Sequence, residues 1–148
     1  MVDGMRLRYL DTGPVSDESV DGPLPLLVIP GHTARIEGFL AMLPALSAAR
    51  RVLVLDGPGS GESDKPDRTY DLRFYEDTLV AFLDHLGIGQ AIPVGGSLGG
   101  NLVLRLGHRF PERFPRLVLW APGSAWKAKP LTAWITRNVL GSHLLRRA

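Results

Sequence analysis

A glycine-rich hexapeptide in the second half of the chain constrains the fold more than any other feature. It reads GGSLGG, covers residues 95–100, and follows a short apolar run over residues 91–94. Beyond it, apolar residues recur at helical spacing to about Arg109. So abrupt a turn from strand to helix leaves no room for side chains beside Ser97, which explains the flanking glycines. The pattern predicts a serine whose hydroxyl stands clear of the backbone above the carboxyl end of a sheet.

Short apolar runs alternate along the chain with stretches of helical periodicity. The runs predict strands over residues 26–29, 51–55, 91–94 and 117–120, and a half-buried edge strand is predicted over residues 5–10. The helical stretches cover residues 36–47, 72–86, about 98–109 and 127–147. Pro44 should kink or end the first helix, and Gly87 should cap the second. The alternation predicts an α/β fold with a doubly wound, mostly parallel sheet.

Three loops that contain glycine follow three of the predicted strands directly. They cover residues 30–33, 56–61 and 95–100. Ligands of doubly wound sheets bind at the carboxyl ends of the strands. We therefore expect the three loops to converge on one binding site around Ser97.

The composition and charge of the chain limit the metals, membranes and nucleic acids that it is expected to bind. The chain has 148 residues, a net charge of +2 and no cysteine, so it has no disulfide framework and no thiolate metal site. No apolar segment approaches the roughly 20 residues of a membrane span. No acidic residue follows Glu112, but the seven basic residues beyond it are spread out rather than clustered as in a nucleic-acid site. We therefore expect a cytoplasmic protein with no metal, no nucleic acid and no membrane partner.

Three motifs, in this order, resemble those of the α/β-hydrolase superfamily. Pro30-Gly31-His32 stands where the superfamily has His-Gly-x after its third strand. Residues 56–64 (DGPGSGESD) are similar to its D-x-P-G-x-G-x-S-D loop, and GGSLGG is similar to its nucleophile elbow. The resemblance covers nearly the whole chain, although Pro30 replaces the usual histidine. It implies a hydrolase that uses a serine nucleophile and no cofactor.

The resemblance also implies a role for each matching position. Ser97 would be the nucleophile, and the backbone N–H groups of His32 and Leu98 would form the oxyanion hole. The glycines of the loop and the elbow are Gly31, Gly95 and Gly99.

A second interpretation stays open at three positions. Ser97 has the residue type of an ordinary helix N-cap. His32 carries an imidazole that would suit a general base, and Asp56 carries a carboxylate that would suit a triad acid. For Asp56 the resemblance favours a structural role, in which its side chain braces the turn.

No residue after Ser97 is placed to complete a Ser-His-acid triad. In the superfamily the acid and the histidine follow the serine along the chain. Glu112 and His108 lie about 20 Å and about 16 Å from the serine along the elbow helix, far beyond the ~3 Å of a proton transfer. The triad acid and histidine are therefore expected outside this chain. It would then be the N-terminal half of a truncated hydrolase, with residues 1–125 as part of the core and residues 126–148 as the start of a cap or lid.

Two classes of function follow. The first is hydrolysis of a small-molecule ester or related acyl compound, in the manner of a carboxylesterase, a lactonase or a carbon–carbon bond hydrolase. The second is a non-catalytic half-domain that binds or assembles. Its bare strand over residues 117–120 would be covered by a missing C-terminal half or by a second copy in a homo-oligomer.

Overall fold

The computed structural model describes residues 1–14 and 22–123, which build one five-stranded sheet with helices on both faces. The predicted cap region over residues 126–148 lies outside the described residues. The strands are β1 (Tyr9–Asp11), β2 (Leu26–Ile29), β3 (Val52–Leu55), β4 (Ile92–Ser97) and β5 (Val118–Pro122). A 3-10 helix (Ile36–Met42) continues directly into α1 (Leu43–Ser47), and the longer helices are α2 (Leu72–His85) and α3 (Leu98–Arg109).

The sheet has the order β1-β3-β2-β4-β5, and four of its strands are parallel. Only β1 runs antiparallel, at the edge beside β3. Parallel neighbours require crossovers, and the helices supply them on both faces. The predicted α/β class with a mostly parallel sheet is confirmed.

The two faces of the sheet have separate cores. Leu27 and Leu53 contribute to the face that α2 and α3 cover, together with Phe82 and Val103. The alternate residues of the same strands, with Ile36, build the other core under the 3-10 helix and α1. Because β2 and β3 are buried on both faces, their sequences are apolar throughout rather than alternating.

The edge strand is shorter than predicted. Alternation predicts a strand over residues 5–10, but only Tyr9–Asp11 pairs with β3. Before that point the backbone bonds to a loop instead: the N–H of Arg6 donates to Asp64 Oδ2 at 2.7 Å, and the N–H of Arg8 donates to Ser63 Oγ at 2.9 Å. The alternation of apolar and polar residues over positions 5–10 therefore reflects docking onto the loop. The strand prediction is wrong for the residues before Tyr9.

Pro44 lies at the start of a helix, and Gly87 lies just after the end of one. The helical stretch predicted over residues 36–47 divides just before Pro44: the 3-10 helix ends at Met42, and Pro44 lies in the first turn of α1, where its missing N–H costs no hydrogen bond within that helix. Gly87 does end α2, with φ 69°. Its N–H donates to Asp84 O at 3.0 Å and the N–H of Ile88 donates to Leu83 O at 2.9 Å, the pair of bonds that defines a Schellman motif.

A buried carboxylate ties α2 to α3. The side chain of Glu76 is fully buried and accepts hydrogen bonds from Arg105 and Arg109, one turn apart on α3. Arg109 also donates to Asp77 at 2.9 Å. The hydrogen bond to Glu76, with that to Asp77, raises the pKa of the Arg109 guanidinium. These contacts fix the helix that begins at the elbow to its neighbour.

The outer strand β5 is exposed in the described part of the chain. Val118 and Trp120 are 49% and 47% exposed, although both are large and apolar. Across residues 1–14 and 22–123, none of the helices is long and apolar enough to pass through a bilayer.

Candidate active site

Ser97 occupies a strained turn between a strand and a helix. It is the last residue of β4, and α3 begins at the next residue, Leu98. Its backbone has φ 54° and ψ −119°, a conformation that residues other than glycine rarely adopt. The residue is exposed. The side chain therefore projects from the carboxyl edge of the sheet at a position that a relaxed backbone would not give it.

The hydroxyl of Ser97 does not cap α3. A capping serine has an extended backbone and accepts a hydrogen bond from the first turn of the helix. Asp71 does this for α2, because its side chain accepts from the N–H of Phe74 at 2.8 Å. Ser97 forms no such bond to α3 and is not extended. The interpretation of Ser97 as an ordinary N-cap therefore does not fit the geometry.

Glycines make room for the turn. A Cβ added to Gly95 would lie 2.6 Å from the carbonyl carbon of Gly99. A Cβ added to Gly99 would collide with the carbonyl oxygen of Ile29 and approach that of Pro30 to 3.2 Å. Real Cβ atoms essentially never come within 3.0 Å of backbone, so glycine at position 95 lets β4 lie close to the start of α3, and glycine at position 99 lets α3 pack against the end of β2.

The loop after β2 lies against the elbow. A Cβ added to Gly31 would lie 3.3 Å from Gly96 O and 3.4 Å from Ser97 Cβ. The turn closes through the N–H of Ala34, which donates to Gly31 O at 3.1 Å. His32 is exposed beside this contact. The structure thus brings together Gly31, His32, Ser97 and Leu98, as the sequence analysis expects.

The N–H of Leu98 lies at the start of α3. As the first residue of α3, it belongs to the turn whose N–H groups the helix leaves without acceptors. These groups carry the positive end of the helix dipole, so a developing negative charge near them is stabilised.

Asp56 is a brace and not a free acid. It is fully buried, and its carboxylate accepts from the N–H of Ile36 at 3.0 Å and from the N–H of Glu62 at 3.1 Å. Arg8 adds a contact at 3.3 Å. Gly61, with φ 52°, passes so close that a Cβ would collide with this carboxylate. Because its oxygens are committed to the loop and to the start of the 3-10 helix, the structural interpretation is the one that the geometry favours.

The arginine behind this loop is held by carboxylates on three sides. Arg8 lies 2.6 Å from Glu37 and 3.7 Å from Glu62, in addition to its contact with Asp56. The hydrogen bond to Glu37 is the largest cause of the raised pKa of Arg8, and it lowers the pKa of Glu37 in turn. The cluster joins the loop over residues 56–64 to the 3-10 helix.

Among the described residues, His32 carries an imidazole beside the elbow, and the other histidines and Glu112 lie away from Ser97. His108 is in the last turn of α3, at the far end from the elbow, and His85 ends α2. Glu112 lies beyond α3. No group of three His, Cys, Asp or Glu side chains that could hold a metal ion occurs in residues 1–14 and 22–123.

A small cavity adjoins the site, and the sequence does not reveal that Tyr75 lines it. The cavity measures about 30 Å³, and its walls include His32, Tyr75, Leu79, Leu98 and Leu102. Tyr75 lies four residues before Leu79 and seven before Phe82 on the buried face of α2. That periodicity was the available signal, but it indicates only burial and cannot distinguish a core residue from one that borders a cavity.

Comparison with known proteins places the chain in context. A family model described as alpha/beta hydrolase fold matches residues 25–144. The 2-hydroxymuconate semialdehyde hydrolase of Pseudomonas sp. (strain CF600) is 43% identical over 134 residues, which are 87% of this chain and 44% of that protein. The dihydrolipoyllysine-residue acetyltransferase component of the acetoin cleaving system of Pseudomonas putida is 36% identical over 127 residues, covering 86% of this chain and 33% of that protein.

The fold is shared with solved structures. The enol-lactonase from Burkholderia xenovorans LB400 superposes with a TM-score of 0.70 and 26% identity, over 78% of this chain and 43% of that one. The chain thus spans less than half the length of these relatives.

Proposed function

This chain belongs to the α/β-hydrolase family, and from that premise we propose that Ser97 is the nucleophile of a serine hydrolase acting on esters or related acyl compounds. The observation that carries the proposal is the strained, uncapped conformation of Ser97 at the start of α3. Strain of this kind persists only where the surrounding structure enforces it. Here the glycines at 95 and 99 and the loop at Gly31 enforce it.

The proposed chemistry uses the two backbone donors beside the serine. Ser97 Oγ bonds to the acyl carbon while its proton passes to a base, and the carbonyl oxygen takes the negative charge. The N–H groups of His32 and Leu98 receive that oxygen, each lowering the barrier by about 3–4 kcal/mol. The leaving group departs with a proton, and water then releases the acyl group from Ser97.

The base and the acid that orients it belong, in this proposal, to polypeptide outside this chain. In support, the histidines on α2 and α3 stand at the helix ends away from Ser97, and Asp56 is committed to its loop. His32 does lie beside the elbow, and this proposal gives it a role through its backbone N–H and not through its imidazole. The exposed strand β5 is the edge where such polypeptide would add, since Val118 and Trp120 leave apolar surface uncovered. One relative is named as a component of a multi-part system, which is compatible with pairing.

The bond that is broken distinguishes the candidates within the family. Two of the three relatives reported above are named for hydrolysis of 2-hydroxymuconate semialdehyde and of an enol-lactone. Both names fit attack on a carbonyl carbon. We therefore place the substrate among small carbonyl compounds, with esters and lactones first and carbon–carbon bond cleavage as the alternative.

An assay of hydrolysis tests the proposal. The chain is captured from the cells that produce it, together with any proteins that copurify, and is assayed in that form. The substrates are a nitrophenyl butyrate ester, a simple lactone and 2-hydroxymuconate semialdehyde. We expect turnover of at least one substrate, abolished by Ser97→Ala. Ser47→Ala, at the end of α1, removes the same hydroxyl away from the site and should leave the rate unchanged. Turnover that survives Ser97→Ala would contradict the proposal, and so would a folded complex with no turnover of any of the three.

A further inference from the structure

The loop that carries His32 contains a second strained residue. Thr33 has φ 64°, a left-handed conformation that is a true outlier for a β-branched side chain. Thr33 is exposed, so its own side chain contributes little packing that could hold it there. Backbone strain of this kind persists only where the surrounding structure enforces it. The restraint must therefore come from the backbone on either side of Thr33.

On one side, the loop is anchored beside the elbow. Gly31 O accepts from the N–H of Ala34 at 3.1 Å, which closes a four-residue turn with His32 and Thr33 at its centre. A positive φ at the third residue is characteristic of a type II turn. The Cβ position of Gly31 lies 3.4 Å from Ser97 Cβ, so this end of the turn is fixed relative to the serine. The bond that closes the turn does not use the N–H of His32.

On the other side, the loop is anchored by the buried carboxylate of Asp56. The N–H of Ile36 donates to Asp56 Oδ1 at 3.0 Å. Ile36 begins the 3-10 helix, and the first N–H groups of a helix have no acceptor within it. The preceding residue, Arg35, supplies no side-chain cap. The acceptor comes instead from a position 20 residues further along the chain.

Asp56 is itself held from several directions. Its Oδ2 accepts from the N–H of Glu62 at 3.1 Å and from Arg8 Nη1 at 3.3 Å. Its backbone carbonyl accepts from Ser63 Oγ at 2.6 Å, and its N–H donates to Arg8 O at 3.0 Å. Because these bonds fix the residue at the end of β3, Oδ1 is a stationary anchor for Ile36.

The two anchors bracket a short span of backbone that includes His32. A donor stabilises an oxyanion only when it lies about 2.7–3.1 Å from the position that the oxygen will take. Release of the Ile36 anchor would let the strained turn at Thr33 relax, and the peptide unit of His32 would move with it.

We propose that Asp56 is a positioning residue of the hydrolase: through the N–H of Ile36 it holds the turn over residues 31–34 in its strained conformation, and so aims the N–H of His32 at the oxyanion. The inference rests on the proposed function, because it assumes that the oxyanion forms beside Ser97. It gives a role in the reaction to a buried carboxylate that does not touch the substrate.

Substitutions at Ile36 separate this hydrogen bond from the packing around it. Ile36→Pro removes the N–H that Asp56 accepts, and proline suits the first position of a helix that follows an extended residue such as Arg35. Ile36→Ala is the matched control, because it also loses core packing but keeps the N–H.

Asp56→Asn breaks the same bond from the other side and carries the comparison if Ile36→Pro does not fold. Asparagine has one acceptor oxygen instead of two. That oxygen should face the two donors on the Oδ2 side, Arg8 and Glu62, which leaves the amide nitrogen against the N–H of Ile36.

Amide hydrogen exchange reports on the turn whether or not the protein turns over a substrate. Each variant is captured with the proteins that copurify, and exchange is followed by mass spectrometry of peptides covering residues 32–35. We expect exchange there to be at least about tenfold faster in Ile36→Pro and in Asp56→Asn than in Ile36→Ala, because a hydrogen bond to a charged group is lost. Peptides of α2 serve as the reference for opening of the whole domain.

Steady-state kinetics report on the role of the turn in the reaction. With the substrate that the native protein hydrolyses, kcat in Ile36→Pro and in Asp56→Asn should fall about 10- to 100-fold relative to Ile36→Ala, the cost of a misplaced group. KM should stay within about twofold, because the His32 N–H meets the charged oxygen only in the transition state. A merely structural role of Asp56 would not produce this split between kcat and KM.

The two readouts separate this inference from the proposed function. Loop exchange in Ile36→Pro and Asp56→Asn equal to that in Ile36→Ala would overturn the anchor, whatever the rates. Faster loop exchange with kcat equal to that of Ile36→Ala would overturn the positioning role and leave Ser97 as the nucleophile. A native protein that hydrolyses none of the three substrates would contradict the proposed function, and with it the aiming of His32, even if the exchange shows that Asp56 holds the turn.

Discussion

At the scale of the residue, the backbone of Ser97 lies at φ 54° and ψ −119°, a region that costs a non-glycine residue about 1–3 kcal/mol. Its neighbours hold it there. The glycines at 95 and 99 let the end of β4, the start of α3 and the end of β2 approach one another more closely than any side chain permits. The conformation of Ser97 therefore depends on the lack of a Cβ atom at positions 95 and 99.

A methyl group at position 99 tests this dependence. Gly99→Ala places a Cβ against the carbonyls of Ile29 and Pro30, which are backbone and cannot move aside. We expect the free energy of unfolding in urea to fall by about 1–3 kcal/mol, the cost of overpacking. Gly38→Ala, in the 3-10 helix, meets nothing within 4 Å and should leave stability unchanged or slightly raised. Equal effects of the two substitutions would contradict the packing argument.

Individual residues differ in how far the sequence reveals them. Ser97 and its glycines are predictable because the motif combines a strand, a turn and a helix within ten residues. Tyr75 is not predictable as a cavity residue, because its role depends on Gly57, Leu98 and Leu102, which the fold brings to it from other elements. Asp56 is intermediate, because its loop is recognisable but its hydrogen-bond partners are not.

At the scale of the element, the sequence predicts the interior of the sheet better than its edge. The predicted strand over residues 26–29 and the helix over residues 98–109 agree with β2 and α3, because a buried apolar run or a helical period is a local signal. The predicted strand over residues 5–10 fails because its backbone bonds to Asp64 and Ser63, more than 50 residues away. The sequence does not reveal that the stretch over residues 36–47 changes from a 3-10 helix to an α-helix next to Pro44, because one proline can either start or end a helix.

The contact between α2 and α3 depends on one buried charge. Glu76 is fully buried, and both of its partners are on α3. We expect Glu76→Gln to lower the free energy of unfolding by about 3 kcal/mol, the low end for breaking a buried ion pair, because Arg105 can turn toward solvent. Asp77→Asn removes a half-exposed neighbour of the same cluster and should cost less than about 1 kcal/mol. Urea denaturation of both variants checks the difference, and equal costs would show that burial of Glu76 does not matter.

Strong acid should weaken the attachment of the edge strand β1. Arg51 donates to Asp11 through Nε at 3.0 Å and Nη2 at 2.7 Å, and these bonds are the main reason that the pKa of Asp11 is lowered. A lowered folded-state pKa means that the stabilisation is complete above the ordinary value of 3.8 and is lost as pH falls through the folded value.

Urea unfolding of the native chain and Asp11→Asn at several pH values measures this contribution. We expect the native chain to be more stable by about 1 kcal/mol at pH 7. The difference should vanish as the pH falls below the folded pKa. A difference that persists or grows in acid would contradict the assignment.

At the scale of the whole molecule, the described residues build a sheet that is covered on both faces near β2 and β3 and exposed at β5. The chain spans less than half the length of the relatives reported above. The same half of the family fold carries the elbow and both proposed oxyanion donors. In this account it supplies the nucleophile, and the proton-transfer groups come from other polypeptide.

The location of a covalent label tests the central claim most directly. Cells that produce the chain are treated with a fluorophosphonate, and the tryptic peptide covering residues 74–105 is then analysed by mass spectrometry. The account predicts one adduct, on Ser97, in the cells, and no adduct on the chain purified alone, because the base is then missing. A label on any other residue, or an unlabelled Ser97 in the cells while the chain is folded, would contradict the claim that Ser97 is the nucleophile.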